Sequence, residues 1–155
     1  ETGITSGVDA THFEPERTCT RAQAVTFLWR ASGQPEPKTT NMPFRDVKPG
    51  SYYEKAVLWA VENKITNGTS TTTFSPDKNC TRAQIVTFLW RSEGEPYASD
   101  SNNPFTDIAS DYYMDAVFWA VKEGITNGTT PTTFSPNDRC TRAQIVTFIY
   151  RAMHL

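Results

Sequence analysis

Three arginines stand where a helix is least hospitable to a cation. The stretches Cys19-Thr-Arg-Ala-Gln23, Cys80-Thr-Arg-Ala-Gln84 and Cys140-Thr-Arg-Ala-Gln144 are identical, and each opens a mostly apolar run. Thr-x-x-Gln is a capping box: the threonine hydroxyl accepts from the amide at N3, and the glutamine side chain reaches back to the N-cap amide. Arg21, Arg82 and Arg142 then fall at N1, where the helix dipole disfavours a cation by a few tenths of a kcal/mol or more. A guanidinium beside free helix-end amides forms an anion site, because dipole, amide donors and a bidentate fork converge. The alternative is an internal salt bridge to Asp46, Asp107, Glu14, Glu16, Asp77 or Asp138.

The elements that must hold these arginines are set out by a repeat. Arg21, Arg82 and Arg142 lie 61 and 60 positions apart. Ile4-Thr-Ser-Gly7 matches Ile65-Thr-Asn-Gly68 and Ile125-Thr-Asn-Gly128, and Phe44-Arg-Asp46 matches Phe105-Thr-Asp107. A full unit reads Phe-x-Asp, a first helix, Ile-Thr-Asn-Gly, a threonine-rich loop to Phe-Ser-Pro, then the capping box and a second helix. Copy one has no Phe-x-Asp or first helix, because Glu1-Thr-Gly-Ile4 lines up with the end of that helix in the other copies. The expected units are 1–33, a partial copy, then 34–94 and 95–155. Pro- and Gly-containing joints, 33–43 and 94–104, separate them.

The first helix is expected over about Tyr52 to Asn63. Ala56, Trp59 and Ala60 share one face, and Ala116, Trp119 and Ala120 repeat them. Both tryptophans read as core rather than as platforms for a sugar. The second helix is apolar almost all round, as in Ile85, Val86, Phe88, Leu89 and Trp90, so it should be buried on several sides. Three such helices imply a central three-helix cluster with the first helices outside it. Each cysteine, at N′, can staple against the residue at N4. Cys80 meets Ile85 and Cys140 meets Ile145, but Cys19 meets only Ala24, so that end is expected to be looser. Phe74 and Phe134 should pin their loops to the core, as should Phe13. Asn67-Gly-Thr69 and Asn127-Gly-Thr129 match a glycosylation sequon but read more simply as turns that need Asn-Gly.

Composition narrows the function. A net charge of −2 argues against a nucleic-acid binder. No run of about 18 apolar residues provides a membrane span, and no signal-peptide pattern is visible. Three cysteines in equivalent places read as buried free thiols, not as a disulfide framework. His12 and His154 lie outside the repeat, so neither a metal site nor a cofactor is expected. Every notable polar residue recurs, whereas an active site needs singular ones, and no nucleophile–histidine pair is evident, so no catalytic residue is assigned.

The ordered set Phe-x-Asp, aromatic-rich helix, Ile-Thr-Asn-Gly, Phe-x-Pro and Thr-Arg-Ala-Gln resembles the S-layer homology (SLH) module over nearly the whole chain. The resemblance implies an all-α fold of tandem SLH-like helical repeats about a pseudo-threefold axis. It also implies a secreted protein of the bacterial cell wall, whose partner is a secondary cell-wall polysaccharide or a peptidoglycan-linked glycan. The acid is expected to be a pyruvate ketal, engaged by Arg21, Arg82 and Arg142. Gly7, Gly68 and Gly128 would shape the grooves, with Gln23, Gln84 and Gln144 beside the arginines. These glutamines replace the family's usual acidic residue, which leaves each site more positive. The alternative reading is a protein-interaction or assembly module, able to form a homo-oligomer through the incomplete first copy.

Overall fold

The computed structural model describes residues 14–99 and 103–155. Gly7, Phe13 and His12 lie outside them. The described chain contains five helices: α1 (Arg21–Ala31), α2 (Glu54–Glu62), α3 (Arg82–Ser92), α4 (Met114–Lys122) and α5 (Arg142–Met153). There is no sheet among the described residues, only isolated bridges, and the fold is all-α.

Helices α1, α3 and α5 are the second helices of the three copies. Each opens with the expected capping box, both of its hydrogen bonds formed. The cap at Cys19 is as tight as the others: Thr20 N donates to Gln23 Oε1 at 3.0 Å, as Thr81 N does to Gln84 Oε1. The looser end expected there is not found, because Cys19 is held by neighbouring backbone and not by its staple. Cys19 N donates to Cys140 O at 2.9 Å, Cys80 N to Cys19 O at 2.8 Å, and Cys140 N to Cys80 O at 3.0 Å. The three bonds close a triangle, and all three thiols inside it are free and fully buried.

The helices α1, α3 and α5 pack on one another beyond this triangle. Val25, Leu28, Ile85, Val86, Leu89, Ile145 and Ile149 belong to the core, with essentially no exposure. Outside the cluster, α2 packs on α1 and α4 packs on α3. Their faces are the expected ones, with Ala56, Ala60, Ala116 and Ala120 buried and Trp59 and Trp119 in the core. Each of these helices starts two residues later than the aromatic pair suggests. Tyr53 and Tyr113 occupy the N-cap in a turn conformation without a side-chain cap bond, because their rings turn inward to the core.

The joints are fastened by tryptophan. Trp29 Nε1 donates to Pro35 O at 2.9 Å and Trp90 Nε1 to Pro96 O at 3.0 Å. Each joint therefore leaves its helix along a fixed line toward the next copy.

Candidate functional site

The helix ends do not offer free amides. Arg21 N donates to Lys78 O at 2.8 Å and Ala22 N to Pro76 O at 3.0 Å. The same pair of bonds runs from Arg82 and Ala83 to Asp138 and Pro136, and from Arg142 and Ala143 to Arg17 and Pro15. Each helix start is thus satisfied by a loop of the next copy, and copy three returns to copy one. The expectation of an amide-built anion nest at N1 is wrong, since carbonyls from elsewhere in the chain already occupy those donors.

The guanidinium groups remain. Arg21 is 3% exposed, and its Nε donates to Phe74 O at 2.9 Å across the boundary between copies one and two. The cation lies 4.7 Å from the ring centre of Phe74 and 5.5 Å from that of Phe88. Arg82 repeats this with Phe134 O at 2.8 Å and the rings of Phe134 and Phe148. Arg142 is likewise buried, its cation 5.1 Å from the ring centre of Phe27.

Among the described residues no salt bridge reaches Arg21 or Arg82, although Asp46 acts on Arg21, and Asp138 and Asp107 on Arg82, through space. Asp46, one of the acids offered as a partner, makes its hydrogen bonds elsewhere. Its carboxylate accepts from Phe74 N and Ser75 N, both at 2.8 Å. Asp107 does the same for Phe134 N and Ser135 N. The aspartate and the arginine therefore grip one peptide segment from opposite ends, through its N–H and its C=O. Burial, the largest influence, pulls the guanidinium pKa of Arg21, Arg82 and Arg142 below the ordinary value. Burial of a cation carries a desolvation cost that a guest anion would offset.

Arg21 opens into a groove of about 320 Å³. All three copies contribute to it. Arg21 comes from the first turn of α1, Thr66, Asn67, Gly68 and Thr69 from the Ile-Thr-Asn-Gly turn of copy two, and Tyr112 from the lead-in to α4. Gln84, Thr87, Phe88 and Arg91 line it from α3. Two arginines line this groove, and among the described residues no carboxylate does. Among the described residues the hydrogen bond of the Arg21 guanidinium is the one from Nε, and its side chain is part of the groove lining.

The turn is shaped by its glycine. Gly68 has φ +84°, and a Cβ there would sit 2.4 Å from Thr73 O and 2.5 Å from Phe44 Cε1. Thr66 Oγ1 accepts from Gly68 N at 3.0 Å and locks the bend. Arg91 is positioned by a bond from Nη1 to Ile65 O at 3.2 Å, one residue before that bend.

The structure brings Arg21, Gly68 and Gln84 together. Arg82 and Gly128 meet differently. Thr126 Oγ1 accepts from both Gly128 N, at 3.1 Å, and Arg82 Nη2, at 3.3 Å, so part of the Arg82 fork is already used. Gln144, like Gln23 and Gln84, holds its N-cap amide through Oε1. Gln144 is exposed, while Gln84 is half-buried at the groove. Gly7, the expected neighbour of Arg142, lies outside the described residues. Tyr112 and Arg91 were not singled out from the sequence, although both recur: Tyr52 matches Tyr112, and Arg30 and Arg151 match Arg91. A second cavity, about 360 Å³, lies between Tyr97, Phe105, Phe118 and Lys122, and none of the motif arginines reaches it.

Compared with known sequences, residues 1–25, 43–86 and 104–146 each match the S-layer homology domain. The chain belongs to the S-layer homology domain family. Among its relatives, an endoglucanase of Bacillus sp. strain KSM-635 is 37% identical over 76% of this chain and 12% of its own length. A cellulosome-anchoring protein of Acetivibrio thermocellus is 28% identical over 91% of this chain and 33% of its own. A surface-layer 125 kDa protein of Lysinibacillus sphaericus is 31% identical over 99% of this chain and 13% of its own. The chain thus spans a third or less of these relatives. S-layer homology domains serve in anchoring to the cell wall, and the family places this chain at the bacterial cell surface.

Proposed function

We propose that this S-layer homology chain is a non-catalytic anchor that holds an acidic, pyruvylated secondary cell-wall polysaccharide through its motif arginines. The observation that carries this reading is the Arg21 groove: a buried guanidinium and a second one from Arg91 line it, and among the described residues no carboxylate does. A ketal carboxylate seated there would take the bidentate geometry that arginine favours. Gln84 lends no negative charge beside it. Tyr112, 51% exposed, offers a ring face for the attached sugar. One such contact, a hydrogen bond to a charge, contributes on the order of 1.5–3 kcal/mol. A polymer that reaches more than one motif arginine would add avidity without a new kind of contact.

Titration of purified wall polymer into the chain tests this. Arg21→Lys retains a charge but loses the planar fork, and it is expected to weaken binding about tenfold or more while the far-UV CD signal is kept. Mild acid removal of the ketal from the polymer should reduce wild-type binding to a similar level. Equal binding of treated and untreated polymer would exclude the carboxylate as the recognised group.

A further inference from the structure

Asparagine stands before glycine at two places in the chain, Asn67-Gly68 and Asn127-Gly128. Glycine has no Cβ to shield its amide nitrogen, so these pairs are the most open to a reaction of the backbone with its own side chain. The Gly68 nitrogen gives its proton to solvent base and bonds to Asn67 Cγ. The Cγ–Nδ2 bond breaks, and ammonia leaves. Water then opens the five-membered imide at either carbonyl, which yields aspartate or isoaspartate. Asn67 and Asn127 are both exposed, so water and base reach them.

The fold sets two obstacles in the way. Gly68 N donates to Thr66 Oγ1 at 3.0 Å, and Gly128 N to Thr126 Oγ1 at 3.1 Å. The imide nitrogen carries no hydrogen, so this bond must be given up before the ring closes. Thr66 and Thr126 are 2% and 3% exposed, and burial fixes each hydroxyl in place. The second obstacle is room. The space beside Gly68 is taken by Thr73 O, Ser70 O and the Phe44 ring, and that beside Gly128 by Thr133 O and the Phe105 ring. One residue on, Thr69 N donates to Thr73 O and Thr129 N to Thr133 O, both at 2.9 Å. The reaction is therefore confined to the moments when a turn opens.

We infer that Asn67 and Asn127 are the deamidation sites of this chain, and that Thr66 and Thr126 hold the reaction back while the turns are folded. At position 67 the outcome also concerns charge. Asn67 lines the groove of Arg21 and Arg91, so its conversion sets a carboxylate into a lining that holds none among the described residues. Thr66 thus preserves the charge of the groove, whatever guest the groove takes.

The test incubates the whole chain at mildly alkaline pH and follows each site by peptide mapping, with mass spectrometry and separate quantitation of isoaspartate. The same chain in denaturing urea gives the rate of the open turns. Conversion at Asn67 and Asn127 is expected to be about tenfold or more slower in the folded chain than in urea. Thr66→Val removes the acceptor at similar size. It should speed conversion at Asn67 about fivefold or more and leave Asn127 at its wild-type rate. Thr66→Ser, which keeps a hydroxyl, should stay near wild type. Equal rates in the folded chain and in urea overturn the inference, as does a Thr66→Val chain that reacts at the wild-type rate. Acceleration of both sites by Thr66→Val also overturns it, because general loosening of the fold, and not release of one guarded turn, would then be the cause.

Discussion

Substitution of Gly68 by alanine separates two physical effects that usually come together. Gly68 and Gly94 share nearly the same backbone, with φ +84° and +85°. An alanine at either site adopts a left-handed conformation that costs about 1–2 kcal/mol. It also loses about 0.4–1 kcal/mol of that penalty through a stiffer unfolded chain. The surroundings differ. Nothing lies within 4 Å of a Cβ built on Gly94, whereas on Gly68 the new carbon would stand 2.4 Å from Thr73 O, 2.7 Å from Ser70 O and 2.5 Å from Phe44 Cε1. Two of those atoms are backbone, and Phe44 is wedged against Phe74 with ring centres 5.9 Å apart. Overpacking of this kind costs about 1–3 kcal/mol. Gly94→Ala should therefore cost about 1 kcal/mol or less, and Gly68→Ala about 3 kcal/mol. At about 2–4 °C per kcal/mol for a chain of this size, thermal melts followed by far-UV CD should show Gly68→Ala about 4–8 °C below Gly94→Ala. Polymer binding should fall as well, because the displaced turn lines the Arg21 groove. Equal melting temperatures for the two variants would mean that the turn yields freely, and the argument that Gly68 fixes the groove wall would fail.

Asp46→Ala strands two buried-side amides, Phe74 N and Ser75 N, and should cost about 3 kcal/mol by chemical denaturation, with Asp107→Ala similar. A loss below about 1 kcal/mol would show that water replaces the carboxylate. Burial raises the thiol pKa of Cys19 and Cys140 from 9.0 to about 12, and that of Cys80 upward too. The fold keeps these thiols neutral while the unfolded chain ionises near 9.0, so their contribution is intact below pH 9.0 and is lost as pH rises from there toward 12. The slope is about 1.4 kcal/mol per pH unit for each thiol. A variant with Cys19, Cys80 and Cys140 all changed to alanine should show a shallower alkaline decline in melting temperature. Parallel declines would remove the thiols as the cause.

The helices and caps were legible in the sequence because their signals are local. Thr-x-x-Gln marks the start of α1, α3 and α5 within four residues, and the Ala-Trp-Ala faces of α2 and α4 lie within one turn. The broken rule at N1 was equally visible, and the buried arginines at those positions show that it marked something. What partners Arg21 was not visible, because it is remote in the chain: its side chain meets a carbonyl at Phe74, and its amide meets Lys78. Asp46 and Asp107 were among the acids offered as salt-bridge partners, but their hydrogen bonds go to the turns at Phe74 and Phe134. Tyr112 and Arg91 show the same limit. Their recurrence could be read, but their place beside Arg21 depends on how one copy is turned against the next. The equal spacing of the repeat also concealed an inequality, since Arg82 Nη2 donates to Thr126 and no such bond from Arg21 to Thr66 is found among the described residues.

The triangle of cysteine backbone bonds, with each helix start capped by the following copy, has a bearing on how the molecule comes apart. Repeats stacked in a line can fray from their ends, shedding one unit while the others persist. A closed cycle has no last member: loosening any one unit strips the stoppers from its neighbour's helix and leaves the next amide in the round without a mate. Denaturation of the three joined units should accordingly be all-or-none, and severing the chain within one unit should release the other two together.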